Sequence, residues 1–140
     1  MRKWQKLCCV VGAQILGFFL FTALCIGQPS INQLKSSARQ YYWGKNGTQD
    51  YVKAFSLYFQ AAELGDAEAQ FIAGGMYFLG RGTDKNPKEA FRLLYRAALN
   101  GKSSPESQKI LAQSFLVGQT VPKNYPEAVR WYEKSAKNGD

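Results

Sequence analysis

The sequence predicts an all-α protein of stacked helix hairpins, about six helices, behind an apolar N-terminal segment. Three observations predict it. Segments of twelve residues recur without gaps at offsets of 36 and 38. Their shared apolar positions follow helical spacing. Each is preceded by a helix-capping residue and closed by glycine.

The segments are Ala54–Gly65, Ala90–Gly101 and Ala128–Gly139. They share Ala54/Ala90/Ala128, Leu57/Leu93/Trp131, Tyr58/Leu94/Tyr132, Ala61/Ala97/Ser135 and Ala62/Ala98/Ala136. Positions i, i+3, i+4, i+7 and i+8 lie on one face of an α-helix. This is helix A of each unit. Asp50, Asn86 and Asn124 stand in register as N-caps. Glu89 and Glu127 complete the spacing of a capping box. Pro87 occupies the first helical position, where its missing N–H costs nothing. Gly65, Gly101 and Gly139 are expected to close the helices in the left-handed conformation.

A second helix, B, follows. Asp66 caps 67–79, and Ser104 caps 105–117 with Pro105 at its first position. Ile72/Ile110, Tyr77/Phe115 and Gly80/Gly118 recur. Ala69, Ala73, Gly74 and Gly75 are small, so a neighbouring helix is expected to approach closely. A glycine inside a helix costs about 1 kcal/mol against alanine, which argues that both glycines serve that approach. The pattern also extends backwards. Ser30, Tyr41 and Gly44 precede Asp66, Tyr77 and Gly80 by the same offset, so 31–43 reads as a further helix B. The order is B, A, B, A, B, A. The domain divides into a half repeat 30–49, repeats 50–85 and 86–123, and a half repeat 124–140. Helices this short are marginal alone in water, so stacking must supply the stability.

Residues 7–27 form an apolar run after Arg2, Lys3 and Lys6, and no acidic residue precedes Asp50. This reads as a signal peptide or a membrane anchor. The basic flank predicts export of the remainder, to the periplasm or to the outer face of the inner membrane. The chain carries a net charge of +8, and without its first 27 residues about +5. That suits an acidic partner or an anionic surface.

The pattern Ala-x-x-Leu/Trp-Tyr-x-x-Ala/Ser-Ala-x-x-Gly, carried by Ala54–Gly65 and Ala128–Gly139, resembles the Sel-1-like repeat. The sequence Ala69…Tyr77-x-x-Gly80-x-Gly82-Thr83…Asn86 continues the likeness. That family is a relative of the tetratricopeptide repeat, and the resemblance covers about residues 30–140. Three departures stand out. The third unit lacks helix B, the loop 118–124 lacks the second glycine, and the 101–108 turn is two residues longer. The family implies a right-handed α/α solenoid that serves as an interaction scaffold, often in exported or envelope-associated bacterial proteins. It implies no catalytic residues.

The residues agree with that implication. There is no histidine, and Cys8, Cys9 and Cys25 all lie in the apolar run. We therefore expect no enzyme, no cofactor and no metal site. Gly101-Lys102-Ser103 matches the end of a phosphate-binding loop, but the loop's first glycine would be residue 96, which is Arg96. Glu63, Asp66 and Glu68 fit caps and solvated turns better than an acid–base pair. Asn46-Gly-Thr48 has the form of a glycosylation acceptor, which the repeat explains adequately.

Two features point to a partner. Arg92 with Arg96, and Arg130 with Lys134, are i, i+4 pairs that stacked helices A would gather into one basic block, on what the family resemblance implies is the concave side. The aromatic residues between them, Phe55, Phe59, Phe91 and Tyr95, are expected to pack between helices, and export argues against nucleic acid. Trp131 and Tyr132 lack the helix B expected to cover them; the expectation is an apolar patch that binds another chain, or a chain shorter than its natural gene product. The expected function is protein–protein interaction in the bacterial envelope, by the helix-A face or the open C-terminal end. The alternative is a module for an anionic or saccharide envelope polymer. No small-molecule substrate is expected.

Overall fold

A computed structural model describes residues 29–45 and 47–139. The expected leader and Asn46 lie outside them. Among the described residues, six helices follow in order: α1 (Ile31–Trp43), α2 (Tyr51–Glu63), α3 (Ala67–Leu79), α4 (Pro87–Leu99), α5 (Pro105–Val117) and α6 (Tyr125–Gly139). No strand occurs among the described residues. Helices α1, α3 and α5 are the B type, and α2, α4 and α6 the A type. No described helix is long and apolar enough to cross a membrane.

The helices start where their caps place them. Asp50, Asp66, Asn86 and Ser104 each accept a bond from the backbone N–H three residues on. Asn124 does the same for Glu127, at 3.1 Å. Each such bond satisfies one of the donors a helix start leaves unpaired. Reciprocal capping boxes form at Ser30/Gln33 and Ser104/Ser107. The expected reciprocal half at Glu89 and Glu127 takes another form. Those carboxylates accept from Arg92 at 2.8 Å and Arg130 at 2.6 Å, one turn on. A charged neighbour within reach outcompetes a neutral amide. The helices B end at Gly44, Gly80 and Gly118, all left-handed. Gly139 corrects an expectation: it remains helical, without a positive φ, and lies close to Pro105.

One tie repeats in all three units. The N–H of Asp50, Asn86 and Asn124 donates to the carbonyl of Tyr41, Tyr77 and Phe115, at 3.0, 3.1 and 2.9 Å. It ties the last turn of each helix B to the start of the helix A that follows. The return turns differ: three residues join α2 to α3, and five join α4 to α5. Among consecutive helices, α4 and α5 pack least extensively.

The core has two cells. Leu34, Ala54, Tyr58, Ala73, Met76 and Leu93 belong to the first. Leu94, Ala98, Leu111, Ala112 and Trp131 make the second. Adjacent residues of α4, Leu93 and Leu94, thus serve opposite cells. The aromatic residues pack between helices as the sequence indicates. Phe55 stacks on Phe59 at 5.7 Å and meets Tyr77 edge-on at 4.8 Å. Phe91, Tyr95 and Phe115 repeat the arrangement.

The paired glycines of α3 separate into two roles. A Cβ on Gly74 would lie 2.9 Å from Leu94 Cγ and 3.1 Å from the Leu94 amide nitrogen. Gly74 therefore sets the close approach of α3 and α4. A Cβ on Gly75 would meet nothing within 4 Å. The expectation that both glycines serve close packing holds only for Gly74.

Candidate partner-binding site

Four cations come from two helices A, and their surroundings differ. The Arg92 guanidinium donates to Glu89 Oε2 at 2.8 Å and to Glu63 Oε1 of α2 at 2.9 Å. The bond to Glu63 is the largest cause of an Arg92 pKa above its ordinary value. Arg96 reaches the same Glu63 oxygen at 3.9 Å. On α6, Arg130 is 75% exposed and pairs with Glu127. Lys134 Nζ lies 4.9 Å above the Trp131 ring, a cation–π contact. Three carboxylates thus stand among the four cations. Three of the four cations are held in ion pairs, and Arg130 is the most exposed of those three. The acidic residues at the α2–α3 turn are likewise used: Glu63 holds Arg92, Asp66 caps α3, and Glu68 binds Lys35.

The C-terminal helix divides its two aromatic residues. Trp131 is only 8% exposed and its ring lies 6.0 Å from that of Tyr95, so it is not part of an uncovered patch. The reason is register. Trp131 stands where Leu93 stands in α4, and that position faces back into the preceding cell. Tyr132 stands at the position of Tyr58 and Leu94, each 2% exposed, yet Tyr132 is 37% exposed. Ala136 is exposed where Ala62 and Ala98 are buried. With exposed Tyr125 and Val129, these residues form an apolar stripe along α6, because 125, 129, 132 and 136 fall on one helical face. Glu133 borders it, where Phe59 and Tyr95 carry rings. The opposite end of the stack differs. At the positions of Ala69, Ala73 and Met76, α1 carries Gln33, Ser37 and Gln40, a polar outer face of the kind that terminates a repeat stack.

Gly101-Lys102-Ser103 is a helix-to-helix turn. The Lys102 N–H donates to Ala97 O at 2.8 Å, and Ser103 Oγ accepts from Gln108 Nε2 at 2.8 Å. Among the described residues no cluster of metal-ligating side chains occurs.

This geometry defines an α-solenoid repeat protein. The Sel1 repeat model matches residues 37–66, 67–102 and 105–140, so the chain belongs to the Sel1-repeat family. Its units pair each helix B with the helix A after it. The chain is 35% identical over 105 residues to the chitin synthase regulator SKT5 of Saccharomyces cerevisiae, covering 72% of this chain and 15% of that protein. It is 29% identical over 90 residues to HRD3A of Arabidopsis thaliana, a component of an ERAD-associated E3 ubiquitin-protein ligase, covering 63% and 13%. The chain thus spans about a seventh of the curated relatives it matches. Among solved structures, it resembles c5321, a protective antigen of uropathogenic Escherichia coli with an SLR fold. There the TM-score is 0.66 at 28% identity, over 79% of this chain and 23% of that one. A Sel1 repeat protein from Oxalobacter formigenes gives 0.63 at 29%, over 79% and 44%.

Proposed function

We propose that this chain is a non-catalytic protein-interaction scaffold of the bacterial envelope, which binds a partner protein along the open stripe of α6. The observation that carries the reading is the exposure of Tyr132 at a position buried in both earlier units. A helix laid on Tyr125, Val129, Tyr132 and Ala136 would continue the stack. A regulator and a ligase component among the relatives support an interaction role over catalysis. Affinity capture from an envelope extract tests it. Replacing Tyr132 by lysine is expected to remove the captured partner while the helical spectrum persists. Undiminished capture would overturn the stripe as the docking face. Capture that instead disappears when Arg92, Arg96, Arg130 and Lys134 are all replaced by glutamate would move the site to the helix-A face.

A second reading rests on the recess of about 140 Å³ lined by Glu127, Arg130, Trp131 and Lys134. Two cations beside an aromatic residue suit an anionic or saccharide envelope polymer. Polymer retention that survives Tyr132→Lys but is lost in an Arg130→Glu, Lys134→Glu chain would favour it.

A further inference from the structure

Successive helices B meet at two junctions, and the repeat lets them be compared position by position. At the first, Lys35 of α1 pairs with Asp66 at 3.1 Å and Glu68 at 2.5 Å, and Arg39 pairs with Glu68 at 3.1 Å. At the second, Phe71 stands in register with Lys35 and Gly75 with Arg39. On the facing helix, Ser104 replaces Asp66 while Glu106 keeps the place of Glu68. The carboxylate is retained, and both of its cations are gone.

What remains there is a groove of about 350 Å³ between α3 and α5. Phe71, Gly75, Ile72 and Ile110 line it, with Glu106 at the α5 end. Its wall is largely apolar. Gly75 has no packing partner to justify a glycine inside a helix. Glu106 forms no ion pair among the described residues, although Lys109 lies one turn along its own helix. Arg81, also on the wall, is held by another wall residue: it donates to the Tyr42 hydroxyl at 2.7 Å and lies over the Tyr51 ring at 5.1 Å.

We propose that this groove is a second protein-docking site, and that its occupant is a partner segment carrying an arginine or lysine between apolar residues. The guest's aliphatic stem lies over Gly75 against Phe71 and Ile110, and its charge meets Glu106. It thereby fills from outside the place that Arg39 fills from within at the first junction. A basic side chain with a long apolar stem suits such a wall. The site is separate from the α6 stripe, and the inference rests only on the reading of the chain as a protein-binding scaffold.

The test uses the full chain and a library of random 12-residue peptides displayed on phage. Selected peptides are expected to share a basic residue flanked by apolar ones. Gly75→Arg, which supplies the missing arginine in cis, is expected to weaken the selected peptide at least tenfold without unfolding the chain. Glu106→Lys is expected to do the same, and a peptide with glutamate for its basic residue should then regain affinity. Peptides that lack a basic residue, or that bind Gly75→Arg undiminished, overturn the groove and leave the scaffold reading standing. A selection that yields no binder also overturns the groove, while the scaffold reading falls only if envelope capture by the chain fails.

Discussion

The α1–α3 junction and the α3–α5 junction are built on the same repeat, yet one is bolted by charge and the other stands open. The difference comes from few positions. Long cationic side chains at 35 and 39 bridge the first pair of helices, whereas a ring and a glycine at 71 and 75 leave the second pair apart. The longer α4–α5 turn accompanies the looser packing on that side. In a stack whose core positions are held nearly constant, a binding surface arises by deletion of side chains as readily as by addition.

The sharpest way to break the comparison is at Leu94, which touches Gly74 and also lines the groove. Leu94→Ala is expected to cost about 2–5 kcal/mol in denaturant unfolding, because it is almost fully buried. The two glycines come next, with opposite signs. Gly74→Ala drives a methyl against Leu94 and should lose about 1–3 kcal/mol. Gly75→Ala enters open space and should gain about 1 kcal/mol from helix propensity. If both changes moved stability in the same direction, the separation of their roles would fail.

The smallest effect lies in the charged junction. The Lys35 side chain is the main cause holding the Glu68 carboxyl below its ordinary value of 4.5. A depressed carboxyl stabilises the fold above its unfolded pKa, and that share is lost as pH falls through the folded pKa. The melting temperature should therefore drop as pH falls below about 4.5, the ordinary carboxylate value. Lys35→Met should flatten that drop. An unchanged acid limb would remove the clamp from the stability of the junction.

Much of the fold was legible because helix boundaries here are written by local chemistry. Asp66, Ser104 and Pro105 begin helices B, and Gly80 and Gly118 end them, as read from the sequence. Where expectation failed, the deciding contact was distant or a matter of facing. Gly74 and Gly75 are neighbours in sequence, but one turns toward Leu94 and the other toward space. Trp131 lies on the backward side of α6 although Tyr132, beside it, lies on the forward side. Arg92 was expected in a basic block, but Glu89 on its own helix and Glu63 of the preceding repeat both hold its guanidinium. Gly139 lay at the proper spacing for a helix stop, but helical geometry persists through it.

The division of Leu93 from Leu94 has a consequence for how the molecule fails and evolves. Helix α4 is a shared wall between two compartments, and most side chains on it answer to only one of them. Substitutions confined to separate compartments should then combine with little mutual interference. Hydrogen exchange should show α1 and α2 opening as a unit distinct from α5 and α6. A surface on one compartment can in that case be rewritten for a new partner without renegotiating the packing of the other.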